Sequence, residues 1–304
     1  MKQIIRITVG LTVSCLLAGV VMSGVFIVTA KAKKHNEYLN VQQTMYGLLG
    51  YNKANPAPAD LRLRFLHRYL VEDGSARCLG YMIPIQAGSE RGYELLRIDL
   101  EGRLVDRHRL DISPEKAMEE EERELVLKRV LGRSQTITYA DTAIIATLGG
   151  DRLAYLLPGE FPGFKTFIRV MVALDSHFTI VGLEIMEHEE DPGLGAEIEQ
   201  EYFKNQFKDK DVATLKTLKV IKEPLPIEYR DYMEREKYKK GHFSGEDISR
   251  IRRMYQERDI YALTGATISS TAVTEGVKGM VKRFAYRIVV LDKVISSQGI
   301  PVAF

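Results

Sequence analysis

Residues 263–284 read LTGATISSTAVTEGVKGMVKRF, and two patterns overlap in them. Val273, Val277, Met280, Val281 and Phe284 recur at helical spacing, which predicts a helix with one apolar face. Directly before it, Leu263-Thr264-Gly265-Ala266-Thr267-Ile268-Ser269-Ser270 is a run of small and hydroxyl-bearing residues with one glycine. Ser269, Ser270 or Thr271 can cap the helix. A helix N-terminus offers unpaired N–H groups and a partial positive charge, so a phosphate can be held there without a lysine. An ordinary capped helix after a tight turn would carry the same residue types, so spacing alone leaves both readings open.

Working back from that stretch, His188-Glu189-Glu190-Asp191-Pro192-Gly193-Leu194-Gly195 reads as a tight Pro-Gly turn that delivers backbone amides to a ligand edge. Gly193-x-Gly195 lacks the third glycine of a dinucleotide fingerprint. Thr166 to Leu174 and Ile180 to Met186 are apolar and β-branched and are separated by Asp175-Ser176-His177, which predicts a hairpin. Ala196 to Lys208 predicts a helix with Ile198, Tyr202 and Phe203 on one side. Glu223-Pro224-Leu225-Pro226 interrupts the pattern, and the charged, tyrosine-rich stretch from Arg230 to Lys240 reads as a surface helix or loop.

Farther upstream, Tyr93 to Ile98 and Arg103 to His108 predict strands about a turn at Asp99–Gly102. Ser113-Pro114-Glu115 starts a helix that runs to about Leu131 and stops near Gly132, with the acidic run Glu119–Glu122 as a solvated face. Pro56 and Pro58 mark Tyr51 to Asp60 as a loop, and Asn36 to Leu49 is mildly amphipathic and predicts a helix. Ile7 to Ala30 is an uncharged, mostly apolar run, long enough as a helix to span a bilayer core of roughly 30 Å. A cleaved signal peptide would have a shorter apolar core, although Ala30-Lys31-Ala32 resembles a cleavage site. Lys2 and Arg6 before the run, and Lys31, Lys33 and Lys34 after it, leave the orientation open.

The chain has 304 residues and a formal charge of +2, from 43 basic and 41 acidic side chains, which gives no electrostatic reason for nucleic-acid binding. Cys15 lies in the apolar run and Cys78 reads as a small buried residue, so neither a disulfide nor a four-cysteine iron–sulfur site is expected. The six histidines, His35, His67, His108, His177, His188 and His242, show no metal-ligand spacing.

Thr264-Gly265-Ala266-Thr267 resembles the flavinylation motif of the FMN-binding domain family, which includes the G-type subunit of Rnf complexes and the C-type subunit of sodium-pumping NADH:quinone reductases. In that family a flavin transferase joins the phosphate of FMN to the threonine that ends the Ser/Thr-Gly-Ala-Thr core, which here is Thr267. The family often has an aspartate three residues before that core; Tyr261 stands there, with Asp259 the nearest acid. Glu190-Asp191-Pro192-Gly193-Leu194-Gly195 is similar to the family's Glu-Thr-Pro-Gly-Leu-Gly segment, with Asp191 in place of threonine. The resemblance runs from about Leu153 to Phe284, including a Gly-rich entry at Pro162.

The resemblance implies covalent FMN on Thr267, with Thr264, Gly265, Ala266, Ser269 and Ser270 around its phosphate and Glu190, Asp191, Pro192, Gly193, Leu194 and Gly195 at the flavin. Glu189, Glu190 and Asp191 either tune the flavin or solvate the turn, His188 reads as a strand-end surface residue, and Tyr261 either stacks on the flavin or packs in the core. The expected fold is α+β: a transmembrane helix, then an extracytoplasmic domain with a mixed or antiparallel sheet flanked by helices. The expected divisions are an anchor at 1–31, a juxtamembrane helix and loop at 32–60, an N-terminal lobe at 61–150 and the FMN-binding domain at 151–304. The implied role is electron transfer in an Rnf-type ion-translocating ferredoxin:NAD+ oxidoreductase, as a single-pass component of the plasma membrane whose partners are the other subunits and the flavin transferase. The alternatives are the C-type quinone reductase subunit, an extracytoplasmic flavin reductase component, and a tethered binding module without flavin.

Overall fold

The computed structural model describes residues 2–74, 76–87, 90–132, 134–237, 242–255 and 258–304, without the side chains of residues 31, 34, 35, 87, 90 and 236. The flanking Lys31 and Lys34 side chains, His35, and the end of the Arg230–Lys240 stretch therefore lie outside what is described. The chain divides into two units, Met1–Gly47 and Leu48–Phe304.

Helix α1 (Lys2–Leu48) contains the apolar run and continues without a break past residue 31 through the predicted juxtamembrane helix. Its segment Lys2–Ala30 is 29 residues long, and is apolar enough to cross a membrane; at ~1.5 Å per residue it measures ~43 Å. Hydroxyls in this segment bond to the preceding turn: Thr8 Oγ1 donates to the Ile4 carbonyl and Thr12 Oγ1 to the Thr8 carbonyl, both at 2.9 Å. These hydroxyls are thereby satisfied within the helix, as an apolar solvent requires.

The second unit is built on one antiparallel sheet. Strands β1 (Arg62–Asp73), β2 (Ala76–Ala87), β3 (Glu90–Ile98) and β4 (Leu104–Leu110) form one meander. After α2 (Glu120–Leu131), β5 (Thr136–Leu148), β6 (Asp151–Pro162), β7 (Phe167–Asp175) and β8 (Ile180–Glu187) form another. The order β4-β3-β2-β1-β5-β6-β7-β8 joins the two meanders through the β1–β5 pair and leaves β4 and β8 as edges. The lobe boundary expected near residue 150 falls at the Gly149-Gly150 turn between paired strands of this sheet. The rest of the unit is α3 (Glu201–Lys204), α4 (Val212–Thr217), β9 (Val220–Ile221), α5 (Ile227–Met233), α6 (Gly245–Tyr255), β10 (Ile260–Tyr261), parallel to β9, and the long α7 (Thr267–Gln298).

Alternation along the strands sorts side chains between two cores. Leu66 of β1, Tyr81, Ile83 and Ile85 of β2 and the even-numbered residues Ile168–Leu174 of β7 face the core covered by α7. Tyr69 and Val71, Met82, and Tyr93 and Leu95 face a smaller core with Val126, Leu127 and Leu131 of α2. In α7, Val273, Val277 and Val281 are fully buried. The helix lies close to β6 because Gly276 presents no Cβ to the ring of Phe161. It ends at Gly299 (φ 57°), where the Ile300 N–H donates to the Ile295 carbonyl at 3.1 Å in a Schellman closure.

Four local expectations are corrected. The helix predicted from Ser113 to Leu131 is two pieces, a 3-10 turn at Lys116–Met118 and α2, separated by extended Glu119. The buried Arg123 explains the break: its guanidinium donates to the Ala117 carbonyl at 2.9 Å and the Tyr69 hydroxyl at 3.0 Å, so the turn is pulled onto the sheet. The helix predicted over Ala196–Lys208 is three short pieces divided at extended Gln200 (ψ 144°), which lets Ile198 and Phe203 both reach the core while Tyr202 stays half-buried. The start of the Arg230–Lys240 stretch is not surface, since Tyr229 and Tyr232 are buried with Tyr255 and Tyr261, and Tyr229 stacks on Tyr255 at 4.2 Å. Ser269, Ser270 and Thr271 do not cap α7; its N-cap is Ala266, which has no capping side chain.

His67 faces the smaller core, 3% exposed, with Nδ1 at 2.7 Å from Thr142 Oγ1 and Nε2 without a hydrogen-bond partner among the described residues. Burial, helped by the Arg123 guanidinium, pushes its pKa down to about 3. An unfolded chain protonates histidine near ~6.5, so folding holds off a proton below that pH. The stability due to neutral His67 is fully present above pH ~6.5 and is lost as pH falls towards 3, at up to ~1.4 kcal/mol per pH unit. His67→Phe is expected to flatten the fall in unfolding free energy between pH 6.5 and 4.5, measured by guanidinium denaturation of the full chain in detergent. An unchanged slope would show that His67 is not the group responsible.

Candidate functional site

The 188–195 and 263–270 segments, far apart in sequence, meet at the start of α7. Strand β10 leads into a turn in which the Ala266 N–H donates to the Leu263 carbonyl at 3.0 Å and Gly265, at the third position, has φ 76°. That conformation is one in which a Cβ is strained, and a Cβ there would also lie 2.9 Å from Leu194 Cδ2. The glycine thus serves the turn and the packing of one loop on the other.

Glu190 joins the two loops. Its side chain is 5% exposed, and Oε1 accepts the N–H of Phe164 at 2.7 Å and of Lys165 at 3.3 Å. Oε2 accepts the hydroxyl of buried Ser269. Gly195 lies against this pair: a Cβ on it would be 2.6 Å from Glu190 Oε2 and 2.9 Å from Ser269 Oγ. Ser270 turns inward as well, its Oγ accepting the Leu263 N–H at 3.0 Å and donating to the Ala266 carbonyl at 2.9 Å. The two serines therefore tie the turn to the helix and to Glu190, and are turned away from the helix end.

The expected site residues divide accordingly. Ala266, Ser269, Ser270, Glu190 and Gly195 are buried; Thr264, Gly265, Pro192, Gly193 and Leu194 are exposed; Thr267 and Asp191 are half-buried. Thr267 is the first residue of α7, and among the described residues no side chain caps the N–H groups of that first turn. Around it stand exposed apolar side chains: Leu194 at 46% and Ile268 at 58% exposed, with Phe164 at 57% on the loop that binds Glu190. Asp191 forms an ion pair with Lys165, which is held above the ordinary lysine pKa by that carboxylate.

Several side-chain roles left open by the sequence can be assigned. Glu190 does not solvate the turn but is its buried anchor, whereas Glu189 is exposed. His188 is less exposed than a strand-end surface residue: Nδ1 accepts the Glu190 N–H at 3.1 Å, which puts its proton on Nε2, 2.9 Å from Glu199. Tyr261 packs in the tyrosine core, with its N–H donating to Gln206 Oε1 at 2.8 Å. Asp259 accepts the Lys219 N–H at 2.8 Å and so holds β9 beside β10. The Pro162–Thr166 loop was only a Gly-rich entry in the sequence; its amides are the partners that make Glu190 buriable. Gly163 was the available signal, because a Cβ there would press on Ile168 at 2.8 Å and on Glu190.

Residues 163–282 match the FMN-binding domain family. Among curated proteins, the G-type subunit of the proton-translocating ferredoxin:NAD(+) oxidoreductase complex of Clostridium ljungdahlii is 31% identical over 138 residues, 45% of this chain and 57% of that protein. The G-type subunit of the ion-translocating oxidoreductase complex of Methanosarcina acetivorans is 37% identical over 65 residues, 21% of this chain and 35% of that protein. The chain thus spans about half or less of the length of these relatives. Among solved structures, the C-type subunit of the Na(+)-translocating NADH-quinone reductase of Parabacteroides distasonis aligns over 66% of this chain and 77% of that one, with 20% identity and a TM-score of 0.35. NqrC of Shewanella oneidensis aligns over 49% and 56%, with 18% identity and a TM-score of 0.32. The family match takes in both loops and the first half of α7, so the part of this chain that resembles an FMN-binding domain includes the whole candidate site.

Proposed function

We propose that this chain is a membrane-anchored electron-transfer component of an Rnf-type complex, carrying FMN as a phosphoester on Thr267. The observation that carries the reading is the start of α7: a threonine at the first helical position, beside N–H groups that no side chain caps among the described residues. Such a helix end favours an anionic phosphate, here a singly charged diester, through oriented N–H groups and the helix dipole. Gly265 permits the positive-φ turn that leads into Thr267, while the inward-turned Ser269 and Ser270 fix the turn. Leu194, Ile268 and Phe164 supply exposed apolar surface of the kind a flavin ring would cover, and Pro192 and Gly193 shape the loop that presents Leu194. In this reading Thr264, Gly265, Ala266 and Thr267 surround the phosphate, and Asp191 with Lys165 forms the polar rim.

When bound, FMN takes up two electrons and releases them singly; the protein contributes placement and environment. Phosphoester formation makes Thr267 Oγ1 the bridging oxygen, with net loss of one water, and a flavin transferase is the implied partner. The G-type relatives favour Rnf membership, the apolar segment of α1 supports a membrane anchor, and the flavin domain on the extracytoplasmic side completes the proposal.

Protein purified from its native host is expected to show the Thr267 peptide heavier by FMN less one water, and flavin fluorescence that survives denaturing electrophoresis. Thr267→Ala should abolish both while changing unfolding free energy by no more than ~0.5 kcal/mol. An unmodified Thr267 peptide in a host with an active flavin transferase would defeat the covalent assignment.

Glu190→Ala removes the acceptor of two backbone N–H groups and one hydroxyl, and should cost about 2–4 kcal/mol of stability. Ser269→Ala should cost about 1 kcal/mol. Both are measured by denaturant titration of the full chain. Glu190→Ala should also lower the yield of covalent flavin, because the loop that packs on Gly265 loses its anchor; wild-type yield and stability together would contradict the anchoring role.

A further inference from the structure

Away from the flavin loops, a groove opens between the second half of α7, α4 and the Asp99–Gly102 turn. Its charge is lopsided. Lys216 of α4 and Lys282, Arg283 and Arg287 of α7 line it, and the one carboxylate among its lining residues is Asp99. Asp99 is already engaged, its Oδ2 at 2.8 Å from Arg103 Nε and its Oδ1 accepting two backbone N–H groups of its own turn. Asp141, at the adjoining end, is shared between the buried Arg68 and Arg287, whose guanidinium it meets at 3.4 Å. Lys216, Lys282 and Arg283 have no acidic partner among the described residues. A chain whose formal charge is only +2 therefore gathers unneutralised cations around one groove.

The same groove has apolar anchors. Tyr286 is 72% and Leu100 66% exposed. Along α7, Arg283, Tyr286, Arg287 and Val290 follow i, i+3, i+4, i+7 spacing and form one stripe ~10 Å long. Cations that held one compact anion would converge on a point, whereas these are spread along the helix and across to α4. That spacing fits side chains repeating along a polypeptide, and exposed Tyr and Arg are the residue types that dominate protein interfaces.

We propose that this groove docks an acidic segment of a partner polypeptide, with apolar side chains seated against Tyr286 and Leu100 and carboxylates against Lys216, Lys282 and Arg283. The site lies ~24 Å along α7 from Thr267 at ~1.5 Å per residue, so it is separate from the flavin site and goes beyond the function proposed above.

The test replaces Tyr286 with photoreactive p-benzoylphenylalanine in the full chain in native membranes, with the same replacement of exposed Leu125 on α2 as control. Irradiation and peptide mapping are expected to join position 286 to a Glu- or Asp-rich segment of one co-purifying protein. The yield should fall about fivefold or more with Lys282→Glu and Arg283→Glu, both exposed positions that do not bear on folding. The crosslink should persist with Thr267→Ala, which separates this proposal from the flavin assignment. Crosslinks only to lipid or to a second copy of this chain, a yield no higher than the Leu125 control, or a yield indifferent to charge reversal would each overturn it.

Discussion

One buried carboxylate holds the candidate site together. Glu190 faces three donors from two other segments, the amides of Phe164 and Lys165 and the hydroxyl of Ser269, and is shielded from water. An ionisable group in such a place is tolerable only when its acceptor positions are filled. The need is mutual: the 163–166 loop, the 190–195 turn and the start of α7 have to arrive together. Gly195 and Gly265 then look less like markers of flexibility than like clearances, because each stands where a methyl group would collide with the neighbouring loop.

The long helix gives that junction a rigid base. α7 is pressed onto one face of the sheet by Val273, Val277 and Val281, and brought close to β6 by the contact of Gly276 with Phe161. Its first turn is correspondingly fixed, so the half-buried Thr267 is set by packing rather than by a cap. A side-chain cap would have used the N–H groups that an anion needs, and the inward rotation of Ser269 and Ser270 keeps them clear.

Much of this was legible in the sequence where local physics decides structure. The 167–187 hairpin and the 90–110 pair follow from alternation and turn residues, and α7 from the recurrence of Val273, Val277 and Val281. The antiparallel sheet flanked by helices agrees with the expected α+β class. Other features were illegible because distant residues decide them. Arg123 breaks its own helix by reaching Tyr69, a residue 54 positions earlier. Glu190 stood in an acidic run and read equally as solvent-facing, since its hydroxyl partner comes 79 residues later. Gln200 divides a stretch whose apolar spacing suits one helix, because Ile198 and Phe203 reach the core from separate short turns.

An open antiparallel sheet has two rims along which further strands could add, and the two are treated differently. At β8, the Ile180 N–H donates to the Lys210 carbonyl and its carbonyl accepts the Asp209 N–H, at 3.0 and 2.8 Å, so a loop of the same chain occupies the start of that rim. At β4, Asp106, Arg107, His108 and Arg109 follow one another, with charge directed to both faces of the strand. A foreign strand laid beside them would have to desolvate or oppose that charge on either side, which disfavours continuation of the sheet between molecules. Association through side-chain surfaces is thereby favoured over shared β-structure, and a crowded membrane gains a protein with little tendency to polymerise through its backbone.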